Sequence, residues 1–387
     1  MYTSGADTFS FLLHILMGLF FAFTVKRSVA VKIGMNKHAE PVYKQYWSYA
    51  LFGIIVFTFL AVFRKVGPGL GGSDALGYVQ WFERSLKDTA EEHTHGLFAE
   101  PLFHYICQAC RTITGNYHFF FFVTYSFIIY SYYLFIKRYA PTNFSCIPLL
   151  LMIYPFLKSF CTLRSSLAIA FIIVGLVIYK RKRIWGFVFI VASVFIHRMC
   201  LPYLFVIPYL ELIGKRKWEM SRRAFLIWGI VIIIISIFSL SFLQNNYLSI
   251  IIGGVDSSYT DMGLDLDPLQ SWPRFIPYIF LFLGYYLMFN KIKWDGQSRM
   301  LLNLFLFDLF LMPPAITLGI WRFNEVFYLV RMLSWGVVIY AFNKSFFRGG
   351  NAFVNLMIAM VFLAWLYIRI GHEWEELKIM PYILEIF

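Results

Sequence analysis

Charge is what this sequence has least of. Only 14% of its 387 residues are Asp, Glu, Lys or Arg, while hydrophobic types make up 60%. A soluble domain runs near 25% charged and 45–50% apolar. That shortage, with a mean hydropathy of +0.67, excludes a disordered chain and a soluble globular enzyme. Cysteine is scarce as well. The five residues, at 107, 110, 146, 161 and 200, lie in or beside apolar runs, which excludes a disulfide-stapled secreted module. Cys107 and Cys110 form a CxxC, but on an aromatic stretch where buried small hydrophobes are expected. No basic segment precedes the first apolar run, and Lys26 and Arg27 follow it where a small-residue cleavage site would stand, so no cleavable signal is expected. No internal repeat of 20–50 residues is visible. What remains is a chain that uses lipid as its solvent.

Apolar runs fall near 9–25, 47–63, 117–136, 144–157, 161–179, 184–197, 199–213, 224–243, 273–290, 299–318, 326–342 and 351–369. At roughly 20 residues per span, they predict an all-α, polytopic membrane protein of about 12 transmembrane helices, forming a single domain over 1–387. Residues 98–113 are too short and too polar to span and are expected as a re-entrant or interfacial half-helix. The charges orient this arrangement. Of the 34 Lys and Arg, 21 cluster in six short connections, including KRKR at 180–183 and five residues within 214–223. By the positive-inside rule those connections are cytoplasmic. The long loops 64–100 and 244–272 then face outside.

The outer face has a different basic chemistry. Its nine arginines outnumber its four lysines, whereas 12 of the 16 lysines lie inside. Topology needs positive charge but does not distinguish Arg from Lys. Arg is the residue for planar, bidentate anion recognition, so an anion is expected at the outer membrane boundary. The net charge of +13 is accounted for largely by topology, and nucleic acid is not an expected partner.

Five stretches carry candidate chemistry. Arg64–Asp74, RKVGPGLGGSD, bends on four glycines and a proline. Asp74 is followed at i+4 and i+7 by Tyr78 and Trp81, a grouping suited to sugar hydroxyls. No GK[ST] follows, so this is not a phosphate-cradling loop. Glu100-Pro101 opens the half-helix, where a capping role is the simpler alternative. Arg164, in LRSSLA, lies about a turn inside a span, where a charge is costly and functional by default. Ser166 and Ala170 give its helix a small face for close packing. His197-Arg198 lies between two short spans. In WRFNEVFYLVRML, Asn324, Tyr328 and Arg331 form one polar stripe, with Arg322 and Glu325 placed to pair. Asp308 on the preceding span is a candidate partner for Arg331, and a structural Arg–Asp pair is the plain alternative to a ligand site. The acidic stretch EEHTH (91–95) is too weak a grouping to predict a metal.

The order of motifs is the strongest functional signal. GxxxGGSD in an outer loop is followed by EPLF, LRSSLA, a His after a KRKR-led span, and RFNEVFY. Over residues 60–335, plus the closing Pro381-Tyr382, this resembles the EpsG/Wzy-type polysaccharide polymerases of bacteria. Members typically read RQ where this chain has Arg164-Ser165, and a small residue where it has Arg198. The resemblance implies a metal-independent membrane glycosyltransferase of GT-C-like architecture, without cofactor, in the bacterial cytoplasmic membrane with its active site facing outside. Its donor would be a growing glycan on undecaprenyl diphosphate and its acceptor a sugar hydroxyl on a lipid-linked repeat unit. Membrane lipids and a chain-length regulator would be its other partners. Asp74, Glu100 and His197 are then the candidates for the base. Arg64, Arg164, Arg198, Arg322 and Arg331 are the diphosphate candidates, and Tyr78, Trp81, Tyr328 and Trp272 the sugar-binding ones. The alternatives are a lipid-linked oligosaccharide flippase, suggested by Asp308 in mid-span, and an outer-face glycan ligase or acyltransferase.

Overall fold

The computed structural model describes residues 5–29, 31–35, 41–44, 46–88, 100–141, 143–179, 181–214, 221–235, 276–317, 325–347 and 352–377. The long helices coincide with the apolar runs. They are α1 (Gly5–Val29), α2 (Trp47–Val62), α5 (Tyr117–Tyr139), α7 (Leu163–Tyr179), α8 (Arg183–Ile196), α10 (222–235), α11 (Ile276–Met288), α12 (Gly296–Thr317), α13 (Tyr328–Phe346) and α14 (Ala352–Leu377). Two short helices, α3 (Ala75–Arg84) and α4 (Pro101–Ile113), cap one end. α4 is the expected half-helix, at 1.5 Å per residue only about 20 Å long. A feature the sequence did not suggest is a small antiparallel hairpin, β1 (Val31–Met35) with β2 (Pro41–Lys44).

The expected count of twelve spans needs correcting at two places. The run at 144–157 is not one helix. It is a six-residue 3-10 segment, Ile147–Met152, continued by the single short helix α6, Ile153–Lys158. The run at 199–213 likewise splits into a 3-10 segment, Arg198–Phe205, and α9, Val206–Gly214. Each contains prolines, Pro148 and Pro155 in one and Pro202 and Pro208 in the other. Proline removes a donor and clashes with the carbonyl four residues back, so a continuous ladder cannot form. The whole of 148–158 is buried and packs against α1, α13 and α14. Its apolarity therefore serves the protein interior rather than lipid. Among the described residues, Ser10–Val29 and Tyr117–Tyr139 are long and apolar enough to cross a membrane, and five further apolar helices, together with the composite segment Ile147–Lys158, are shorter.

Helix faces separate into two kinds. α5 buries Phe120, Phe121, Tyr125 and nine other side chains, and packs against α2 and α7. The outer faces of α2, α8, α11 and α14 instead expose large apolar groups, among them Phe52, Ile55, Trp185, Phe280, Met360 and Ile368. Surface of that kind, repeated around the molecule, has no place in water and fits contact with lipid. α7 and α8 form a tight antiparallel pair. A Cβ on Gly175 would meet the Gly186 carbonyl at 2.8 Å, so these glycines set the close approach. Ser166 and Ala170, expected at that seam, are buried on α7 further along.

Candidate active site

The α7–α8 pair places its two sequence candidates together. Arg164 is the second residue of α7 and His197 follows the last residue of α8, so antiparallel packing brings them to one end. At His197 the backbone turns extended, φ −154° and ψ 111°, and the chain leaves the helix. Arg181, Lys182 and Arg183 lie at the opposite end of the pair, about 25 Å away by helix rise.

Glu100 fills the space between the two. Its Oε2 accepts from Arg164 Nη1 at 2.6 Å, and its Oε1 lies 2.8 Å from His197 Nδ1 and accepts the Arg198 backbone N–H at 3.2 Å. An ionised carboxylate only accepts, which makes Nδ1 the donor of that pair. Glu100 stands at the N-cap position of α4 with Pro101 behind it, yet its side chain makes no cap hydrogen bond. The capping alternative is thus displaced: the carboxylate reaches across to α7 and α8. Burial by itself would raise the Glu100 pKa. The hydrogen bond and charge of His197, the charge of Arg164 and the Arg198 N–H outweigh it and hold the carboxyl well below its ordinary range.

Trp81 backs this cluster. The Arg164 guanidinium lies 4.9 Å from its ring centroid, its indole N–H donates to His104 Nδ1 at 3.4 Å, and its ring stands edge-on to Phe103. His104 was not singled out in the sequence. The available signal was its i+4 spacing from Glu100 on one face of α4. Two aromatics expected to stack sugars make protein contacts here. A face of Trp81 is covered by Arg164, and the buried Tyr78 donates its hydroxyl to the Cys161 carbonyl at 3.3 Å and packs on Phe103.

Asp74 approaches from the glycine-rich turn. Gly69, Gly71 and Gly72 have positive φ of 75°, 76° and 119°, a region that costs other residues dearly. A Cβ on Gly72 would meet the Phe160 carbonyl at 2.6 Å, so this turn lies directly on the segment that leads into Arg164. Asp74 itself is exposed at the start of α3 and accepts from the Ser73 hydroxyl at 3.2 Å.

Two of the arginines expected to bind an anion have other occupations. Arg64 is 1% exposed and enclosed by Phe121, Tyr125 and Phe160. Arg331 is bound by Asp308 through Nη1, at 3.0 and 2.8 Å to the two carboxylate oxygens, and also donates to the Tyr278 hydroxyl. Both partners are buried, so the two form the structural Arg–Asp pair that was the plain alternative to a ligand site. Tyr328 lies beside that pair, its ring 5.5 Å from the Arg331 guanidinium and 5.9 Å from Tyr154. Glu325, expected to pair with Arg322, forms an ion pair with Lys158 at 2.8 Å. Lys158 was missed because 167 positions separate the partners. Arg322 and Trp272 lie outside the described residues. Cys107 and Cys110 are free, buried thiols, as expected of small core residues.

Apolar helices with lipid-suited faces, together with a buried, charge-balanced cluster at one end, define a helical membrane protein with a candidate site at its boundary. The EpsG family profile matches residues 48–384, and the chain belongs to that family of polysaccharide polymerase-like proteins. No curated protein and no solved structure matches the chain significantly.

Proposed function

We propose that this protein is a polysaccharide polymerase. It transfers a growing glycan from undecaprenyl diphosphate to a sugar hydroxyl of a lipid-linked repeat unit, at the outer face of the bacterial cytoplasmic membrane. The observation that carries the reading is the Glu100–Arg164–His197 cluster. It lies at the end of α7–α8 opposite Arg181–Arg183, and the exposed Asp74 is carried by the glycine turn packed against Phe160, four residues before Arg164. The basic end is cytoplasmic by the positive-inside rule, which turns the cluster outward.

The residues divide the chemistry. Arg164 has 28% of its side chain exposed while Glu100 has 5%. The guanidinium therefore presents an open edge to a ligand, with Glu100 and Trp81 fixing its plane. Arg198 is half-buried alongside. Together they neutralise the diphosphate as the bond from the anomeric carbon to its oxygen breaks, which makes it a leaving group without an acid. The acceptor oxygen bonds to that carbon and its proton goes to Asp74. Glu100 is a poor base because both its oxygens are already engaged and the hydrogen bonds and positive charge around it keep it ionised despite its burial. Its role is to hold Arg164 and His197 in register. Arg322 remains a further candidate for the diphosphate, and a chain-length regulator a further partner.

Purified protein incubated with lipid-linked repeat unit alone tests this. A ladder of products at integral repeat lengths is expected. Unchanged substrate, with the same protein moving it across a vesicle bilayer or handing its glycan to a different acceptor, would replace polymerase by flippase or ligase.

A further inference from the structure

Arg64 is a buried cation whose partners are all uncharged. Among the described residues no carboxylate pairs with it. Its Nε donates to the Gly71 carbonyl at 2.9 Å, its Nη1 to the Ala61 carbonyl, and its Nη2 to the Tyr125 hydroxyl at 3.0 Å. Its guanidinium carbon lies 4.2 Å from the Phe160 ring centroid, 4.6 Å from Phe121 and 4.9 Å from Tyr125. A charge in such a place is expensive, and the positive-inside rule does not account for it.

The identity of the partners does. Gly71 is three residues before Asp74. Phe160 is four residues before Arg164, and Tyr125 passes the connection on by donating to the Ser159 carbonyl at 3.1 Å. Ala61 ties the group to the end of α2. One planar group therefore touches the glycine turn that carries Asp74, the turn that carries Arg164, and the helices α2 and α5 behind both. Only a fork with donors in three directions reaches all of them; an ammonium has three donors but no plane to fill the slot between three rings.

We infer that Arg64 is a positioning residue that sets the spacing between Asp74 and Arg164, bracing the two halves of the site against each other. This rests on the roles proposed for those two residues. It also makes a geometric claim that stands without them: the glycine turn stays seated on the 159–161 turn because Arg64 holds it there.

The geometry supplies its own probe. The Cys161 thiol is within hydrogen-bonding reach of Ser73. Ser73→Cys, in a protein whose Cys107, Cys110, Cys146 and Cys200 are replaced by alanine, should form a disulfide with Cys161 under mild oxidation. Arg64→Lys and Arg64→Gln should slow that cross-link several-fold in the folded protein. Lysine is not expected to rescue, because the brace is a shape rather than a charge. Tyr125→Phe, which removes only the hydroxyl that links Arg64 to the Ser159 carbonyl, should slow it less and decides the matter if the Arg64 variants fail to fold. In the polymerisation assay, the same variants should lose about 10–100-fold in kcat per folded molecule, the usual cost of misplacing reacting groups by about an ångström. KM for the lipid-linked unit should stay within about twofold of the starting protein. Unchanged cross-linking in Arg64→Lys or in Tyr125→Phe overturns the brace. So does a loss that appears only as less folded protein with normal kcat. If the unmodified protein makes no ladder, the polymerase reading fails, while the cross-linking result still decides what Arg64 does.

Discussion

Glu100 has two oxygens and three donors around it, and that imbalance explains why it stays ionised in a buried place. Its depressed pKa carries a sign. A carboxyl whose folded value lies below its unfolded one contributes stability that is present above the unfolded value and lost as pH falls through the folded one. Thermal unfolding in detergent, compared between wild type and Glu100→Gln, should show a wild-type advantage that persists below about pH 4.3 and disappears only in stronger acid. An advantage that vanishes already near pH 5 would mean the cluster does not hold the charge. Asp74 and Arg164 are expected to respond differently to conservative change. Asp74→Asn keeps size and polarity but cannot take a proton, so turnover should fall about 10²–10⁴-fold while lipid-linked substrate still binds. Activity above about half of wild type would pass the role of base to His197. Arg164→Ala should lose nearly all turnover. Arg164→Lys should recover only part, because an ammonium has neither a second fork nitrogen left to meet a ligand while one holds Glu100 nor the flat face that lies on Trp81. Full activity in the lysine variant would reduce Arg164 to a simple charge.

Among the secondary-structure elements, proline and glycine decided where reading the sequence succeeded. The half-helix at 101–113 was legible because Glu100-Pro101 opens it and Arg111 and Thr112 close it with polarity. The 144–157 and 199–213 runs were not, because hydropathy registers burial in protein and burial in lipid alike. Only their prolines marked the difference. Pair partners across elements were legible where both were charged and one was rare. Asp308, an acid in mid-span, singled itself out, and the structure supplies Arg331. Glu325 pointed instead to its helix neighbour Arg322, and its pairing with the distant Lys158 was invisible. The α12–α13 pair yields a stability forecast. Asp308→Ala leaves Arg331 charged and buried, and should cost roughly 3–5 kcal/mol, read as a lower melting temperature in detergent. Asp308→Leu combined with Arg331→Met should recover most of that loss, since two apolar groups of similar size need no partner. If the double variant is as unstable as the single one, the pair is a specific lock rather than a mutual neutralisation.

For the molecule as a whole, composition alone named the solvent and the motif order named the family, yet neither located the site. Three of its groups, at 100, 164 and 197, are brought together only because α7 runs against α8 and α4 lies across their end. Reading residue by residue ranked Arg64 and Arg331 beside Arg164, because sequence cannot tell a partly exposed arginine from one buried in the core. The arrangement in turn makes topology testable from a single helix pair. The KRKR connection at 180–183 and the Asp74 turn belong to opposite membrane faces if the basic connections are cytoplasmic. In a cysteine-free background, a membrane-impermeant maleimide applied to intact cells should label Ser73→Cys but label Lys182→Cys only after the membrane is opened. Both positions are exposed, so failure to react reports sidedness rather than burial. Reversed labelling would put the Glu100–Arg164–His197 cluster on the cytoplasmic face and remove an externally presented lipid-linked glycan as its substrate. Labelling of both from outside would break the assignment of α7 and α8 as a pair that crosses the bilayer and returns.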